Sequence, residues 1–226
     1  MFSVRGVLLY KYKVILLDLD GTISDPKIGI TKSVQYALSK MNIYESDIEK
    51  LNYFIGPPLQ DSFAEYYNLN EAQTQKAVDF YRERFKEKGM FENKLYEKIP
   101  TLLKSLCEHE VKLVIATSKP TVFAKQIIQY FNITHYFDCI VGSNLDGTRT
   151  SKTEILQYIL NKYHYYKPDE FIMIGDRKHD IIGATNTGID SIAVTYGYGS
   201  YEELCLCKPT YLVHDIDQIN NILIGA

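Results

Sequence analysis

The sequence predicts an α/β fold, a doubly wound parallel sheet with a small all-helical cap domain inserted after the first strand. Three observations predict it: short uninterrupted apolar runs, helical stretches alternating with them, and one long segment where only the helical pattern persists. A run that is Val, Ile or Leu throughout, rather than at every second position, is what a strand covered on both faces requires. Strands separated by helices pair in parallel, because the helix carries the chain back to the same end of the sheet.

Taken in order, Val14–Leu17 is the first run and leads straight into Asp18. From residue 26 to 96 the pattern is helical, with stretches at 30–41, 59–67 and 71–86 and turns near Gly56-Pro57-Pro58 and Gly89. A helix at 101–110 precedes the second strand, 113–116, which ends at Thr117 and is followed by a helix at 122–131. The third strand, 139–141, stops at Gly142, and a helix spans 152–162. The fourth, 171–174, stops at Gly175 and gives way to a helix at 180–187. A fifth strand at 191–194 precedes Thr195, and 211–213 adds an edge. The expected division is a Rossmann-like core of residues 1–25 and 97–226 with a helical cap of residues 26–96. The insert leaves the core beside the C-terminal end of the first strand, where open α/β sheets bind ligands. A lid over that site is its expected role, with Phe54-Ile55-Gly56-Pro57-Pro58-Leu59 as the turn facing the core. Residues 1–10 read equally as an extra strand or an ordered extension.

Composition narrows the function. The 226 residues carry a formal net charge of −3 with both signs interspersed. With no basic stripe to neutralise phosphates in number, a nucleic-acid polymer is not the expected partner. No apolar run approaches the roughly 20 residues that cross a bilayer, and the N-terminal apolar stretch lacks a signal-peptide cleavage site. Cys107, Cys139, Cys205 and Cys207 have no disulfide-framework spacing, which fits reduced thiols in a cytoplasmic protein. Monomer or weak dimer is the expected state.

The chemistry sits at the strand ends. Asp18-Leu19-Asp20-Gly21-Thr22 closes the first strand, and alternate residues there point the same way, so Asp18 and Asp20 address one cleft. Two such carboxylates repel unless a cation or shared proton compensates them, and a magnesium ion, hard and oxygen-loving, fits that need. Thr117-Ser118 offers a hydroxyl and backbone N–H for phosphoryl oxygens, although taken alone a hydroxyl there reads rather as a helix cap ahead of Pro120. Lys152 at the start of a helix supplies a point charge. Gly175-Asp176, with Asp180 one helical turn on, brings a second acid pair. Arg177 and Lys178 read either as an anion-binding pair or as an exposed basic loop, and His179 as a surface residue rather than a ligand.

With these motifs at consecutive strand ends, the chain resembles the haloacid dehalogenase superfamily, in the branch with a helical cap, from Val14 to about Leu212. Residues 18–22 resemble the first motif, Thr117 the second, Lys152 the third, and Gly175-Asp176 with Asp180 the fourth. The stretch 173–184 and Tyr196-Gly197-Tyr198-Gly199-Ser200 look closest to phosphoglycolate-phosphatase-like proteins, while Thr153-Glu154 departs from the family's usual Pro-x-Pro. The resemblance implies Asp18 as nucleophile and Asp20 as general acid and then base. It implies Mg2+ held by Asp18, Asp20 (through its carbonyl) and Asp176, phosphate contacts from Thr117, Ser118 and Lys152, and Asp180 orienting the ligands or Lys152. The implied activity is phosphoric monoester hydrolysis of a small phosphorylated metabolite through an aspartyl phosphate.

The resemblance leaves rivals. A beta-phosphoglucomutase-like mutase shares these core residues, but commonly has Val where this chain has Thr22. A dehalogenase needs neither Asp20 nor a metal. A receiver domain is far shorter and carries its acceptor on a middle strand. Phosphoglycolate, nucleoside monophosphates (a 5'-nucleotidase activity) and sugar phosphates all fit as substrates.

Overall fold

The computed structural model describes residues 10–225. The expectation for residues 1–10 therefore falls, apart from Tyr10, outside the described residues. Among the described residues, six strands form one parallel sheet: β1 (Val14–Leu17), β4 (Lys112–Pro120), β5 (Cys139–Ser143), β6 (Phe171–Gly175), β7 (Asp190–Val194) and β8 (Tyr211–Val213), in the order β5-β4-β1-β6-β7-β8. The α/β class read from the sequence is the observed one. β1 lies between β4 and β6, with Val14 opposite both Lys112 and Phe171.

The uninterrupted apolar runs do what a two-faced strand demands. Ile15 and Leu17, Leu113 and Ile115, and Ile172 and Ile174 point into one buried cluster. Val14 and Leu16, Val114 and Ala116, and Phe171 and Met173 point into a second on the opposite face. Helices α4 (Ile99–Cys107), α5 (Thr121–Tyr130) and α9 (Ile216–Ile224) cover the first face; α6 (Lys152–Lys162) and α7 (Lys178–Thr187) cover the second.

Between β2 (Ser24–Asp25) and β3 (Lys94–Leu95) the chain is helical: α1 (Lys27–Lys40), a 3-10 helix at Ile48–Phe54, α2 (Leu59–Tyr67), α3 (Glu71–Glu87) and a last 3-10 turn at Gly89–Phe91. β2 and β3 pair antiparallel, Ser24 opposite Leu95 and Asp25 opposite Lys94, so this segment leaves and rejoins the sheet at one point. Its apolar residues Ile30, Val34, Phe54, Phe63, Val78 and Phe85 join the first cluster, continuous with the sheet's own core.

The differences from the sequence reading are local. The ribbon β2–β3, α8 (Tyr201–Leu206) and α9 were not anticipated. Helix α4 starts two residues earlier than 101, because Pro100 suits the first turn, and ends before Glu110, whose φ is +56°. Strand β4 runs on past 116 to Pro120, with a break in its pairing between Ala116 and Pro120.

Candidate active site

At the C-terminal end of β1, the Asp18 amide donates to the Ile174 carbonyl at 2.9 Å, holding this strand end against β6. The chain then turns within six residues, with the Ile23 and Ser24 amides both donating to Leu19 and the Gly21 amide to Ser24. Gly21 has φ +82°, and a Cβ there would lie 2.1 Å from Asp176 Oδ2. Only glycine permits both the turn and this approach.

Four of the residues singled out in the sequence, Asp18, Lys152, Asp176 and Asp180, converge here. Asp18, Asp20, Thr117, Lys152, Asp176 and Asp180 are all at least nine-tenths buried. Ligand oxygens of Asp18, Asp176 and Asp180 all lie within 4.8 Å of one another. The Lys152 ammonium reaches Asp18 Oδ1 at 2.9 Å and Asp180 Oδ1 at 2.7 Å, and donates to the Ala116 carbonyl at 2.7 Å. Lys152 is placed by the start of α6, where Ser151 and Glu154 form a capping box. Asp180 does two things at once: Oδ2 accepts the Arg177 amide at 3.1 Å and caps α7, while Oδ1 faces Lys152. Asp176 accepts the Thr22 hydroxyl at 3.3 Å and the Tyr198 amide at 2.7 Å.

Asp20 points elsewhere. Its Oδ2 pairs with Lys119 at 2.8 Å, and its Oδ1 is buried without a hydrogen-bond partner among the described residues. Thr117 caps no helix: its hydroxyl accepts the Lys119 amide at 3.3 Å, and α5 begins only at Thr121. Ser118 and Lys119 line, with Asp20, a cavity walled by Phe54, Tyr81, Phe85 and Phe123. The Lys119 ammonium lies 4.4 Å from the centroid of the Phe85 ring.

Lys119 and the Tyr198 amide are site groups that the sequence does not announce, and Arg177 has a role that neither of its two sequence readings names. Lys119 had a usable signal: two residues after Thr117 on an extended strand end, it points to the same side. A backbone amide such as that of Tyr198 leaves no signal. Arg177 is 9% exposed, so it is no exposed basic loop, whereas Lys178 is exposed and His179 half-buried.

The electrostatics are strained without a cation. Burial pushes the Asp176 carboxyl well above its ordinary range, and the neighbouring Asp180 and Asp18 push it further. Burial also raises Asp20, against the pull of Lys119. Asp180 is raised to about 6 by burial, with Lys152 opposing and Asp18 adding to the rise. Burial alone would lower Lys152, but Asp18 and Asp180 outweigh it and hold the ammonium charged. Four carboxylates thus face two ammonium groups, an excess of two negative charges when all are ionised. An all-oxygen cage with that excess suits a hard divalent ion, and the residues fit magnesium.

Comparison with known proteins agrees with this arrangement. A family model described as haloacid dehalogenase-like hydrolase matches residues 15–194. A 5'-nucleotidase of Pseudomonas aeruginosa is 44% identical over 94% of this chain and 96% of its own. Tyrosine-protein kinase PtkA of Mycobacterium tuberculosis is 32% identical over 93% of this chain and 72% of its own. A phosphoglycolate phosphatase of Vibrio vulnificus is 25% identical over 94% and 96%. The crystal structure of a predicted phosphatase from Clostridium acetobutylicum superposes with a TM-score of 0.92 at 49% identity, covering 95% of this chain and 99% of that one. From a match of this extent and the strand-end carboxylates beneath it, the chain belongs to the haloacid dehalogenase-like hydrolase family.

Proposed function

We propose that this chain is a magnesium-dependent phosphatase that hydrolyses a small phosphate monoester through a phosphoryl group carried on Asp18. The observation that carries the reading is the burial of Asp18 beside Lys152, Asp176 and Asp180 at one strand end. In the same reading, residues 26–96 are a cap over a core of residues 1–25 and 97–226. The four free thiols fit a reducing, cytoplasmic setting.

The Asp18 carboxylate attacks phosphorus in line with the leaving oxygen. Lys152 offsets the charge that keeps an anionic nucleophile from an anionic phosphoryl group, and Asp180 holds Lys152 to that task. Thr117 and Ser118 hold the phosphoryl oxygens. Asp20 first protonates the leaving oxygen and then takes a proton from the water that releases the phosphate. Its surroundings suit both roles: burial favours the protonated form and Lys119 the ionised one. Asp18, Asp176 and the Asp20 carbonyl would hold magnesium, which would supply positive charge to offset the nucleophile and the phosphoryl oxygens. Asp176 is kept in place for it by Thr22 and the Tyr198 amide.

The aromatic wall of the cavity favours a second, finer reading, a nucleoside monophosphate whose base lies against Phe54, Phe85 or Phe123. The 5'-nucleotidase name of the 44% identical relative supports it. The cavity as it stands has a volume of only about 60 Å³, space for a few waters, so a substrate of that size enters by opening of the cap.

Asp18→Asn tests the common core of both readings. It should lower hydrolysis of p-nitrophenyl phosphate on the order of a thousandfold or more while leaving the far-UV circular dichroism unchanged. Activity within tenfold of the parent protein would remove Asp18 as the nucleophile.

A further inference from the structure

We infer that Arg177 is a positioning residue that latches the turn at residues 55–58 onto the strand end carrying Asp176, setting the closed position of the cap from inside the acid cluster. The inference rests on the reading of residues 26–96 as a cap. Arg177 follows Asp176 directly, and its guanidinium turns away from the carboxylates toward the helical segment. Nη1 donates to the Ile55 carbonyl at 2.6 Å, across 122 residues of sequence. Nε donates to Glu203 Oε1 at 3.1 Å, and the same oxygen accepts the Lys178 amide at 2.9 Å. The cation is thus tethered on the core side by Glu203 and reaches out with its other end. When the cap swings away, Glu203 keeps the guanidinium aimed.

The turn is shaped to receive it. Gly56 has φ +105°, and a Cβ there would come within 2.9 Å of Arg177 Cγ, so the stem of the arginine fills the space that a side chain would occupy. Pro57 and Pro58 follow, stiffening the run into α2. The turn cannot settle without the stem beneath it, and the stem cannot leave without vacating a buried hole. Gly56, Pro57 and Pro58 also line the cavity beside Asp20, so the position of this turn fixes the space above the reacting groups.

A second tie runs from the same acid to the root of the segment. Tyr198 donates its amide to Asp176 Oδ2 and its hydroxyl to Asp25 on β2. The two ties differ in kind: the one at Asp25 sits where the segment pivots, and the one at Ile55 sits where it must travel. Opening therefore breaks the Arg177–Ile55 bond and spares the Tyr198–Asp25 bond.

The test compares Arg177→Met, which keeps an apolar stem and removes the donors, with Arg177→Lys in the full chain. Amide hydrogen exchange is read within 55–59, at Ile55, Gly56 and Leu59 since the two prolines carry no amide hydrogen, and, as a reference, along β6. Arg177→Met should speed exchange at 55–59 about tenfold or more, leave β6 unchanged, and raise KM for p-nitrophenyl phosphate about tenfold with a smaller change in kcat. Arg177→Lys should recover part of the protection. Unchanged exchange at 55–59, or equal loss of protection in β6, would overturn the latch, the second outcome leaving Arg177 only a packing role. Should Arg177→Met not fold, Gly56→Ala, which drives the stem out of its seat, gives the same exchange readout. Exchange does not depend on turnover, so an active Asp18→Asn protein would refute the phosphatase reading and leave the latch standing, and slow exchange in Arg177→Met would do the reverse.

Discussion

The acid cluster and the cavity above it are built by different means. Around Asp18 the positions are fixed by main chain: a strand end tied to Ile174, a positive-φ glycine, and amides of Arg177 and Tyr198 aimed at carboxylates. The cavity wall is instead made by side chains: Phe54, Tyr81 and Phe85 project from helical elements of residues 26–96, and Phe123 from α5. A backbone-built site tolerates almost no change of position. A side-chain wall can be repacked by substitution while the chemistry beneath it stays put.

The largest effect that would test this contrast is at Gly21. Gly21→Ala must push Asp176 aside and adopt a φ that disfavours a side chain, and should lower kcat/KM for p-nitrophenyl phosphate on the order of a hundredfold or more. A loss below tenfold would mean that the cluster is not held as rigidly as its main chain suggests. A smaller, selective effect is expected at the wall. Phe85→Leu should cost less than about 1.5 kcal/mol of stability. It should lower kcat/KM for adenosine monophosphate relative to glycerol phosphate by roughly tenfold. An equal fall for both substrates would deny the wall any part in choosing between them.

The smallest effect is on stability, and it changes sign with metal. A carboxyl raised by burial favours its protonated form in the folded chain. Its stabilising contribution is therefore full at low pH and is lost as pH climbs through the raised value, which for Asp176 lies well above the ordinary 3.8. Asn cannot ionise and loses nothing. In chelated protein, Asp176→Asn should therefore gain in thermal stability over the parent by an amount that grows with pH, about 2–4 °C in Tm for each kcal/mol. With excess magnesium the parent should become the more stable of the two if, as proposed, the ion binds the folded state through this carboxylate. A gain that shrinks with rising pH, or that magnesium leaves untouched, would contradict the raised carboxyl or its part in holding the ion.

The same contrast explains what could be read from residues alone. The strands were legible because Val14–Leu17 and its counterparts are apolar at every position, a pattern that helices and surface strands do not share. Asp18, Asp20, Asp176 and Asp180 were legible because they follow such runs at fixed spacing. The ribbon β2–β3 was not, since two residues per strand carry no periodicity. Helix α9 leaves a trace in Asp215 and in the spacing of Ile216, Ile219 and Leu223, but it follows an edge strand too closely for that spacing to stand out. Lys119 and Arg177 take their meaning from Asp20 and Ile55, far away in the chain, and no local pattern states such a pairing.

One feature of the ribbon bears on engineering. Asp25 and Lys94 are direct partners across it, so everything between them begins and ends at a single hydrogen-bonded pair. Another helical segment closed by the same pair could be grafted there without shifting the start of β1 or the loop to Gly21. Substrate preference would then be a cassette, exchangeable as a unit, provided the donor segment brings a glycine turn able to seat the arginine.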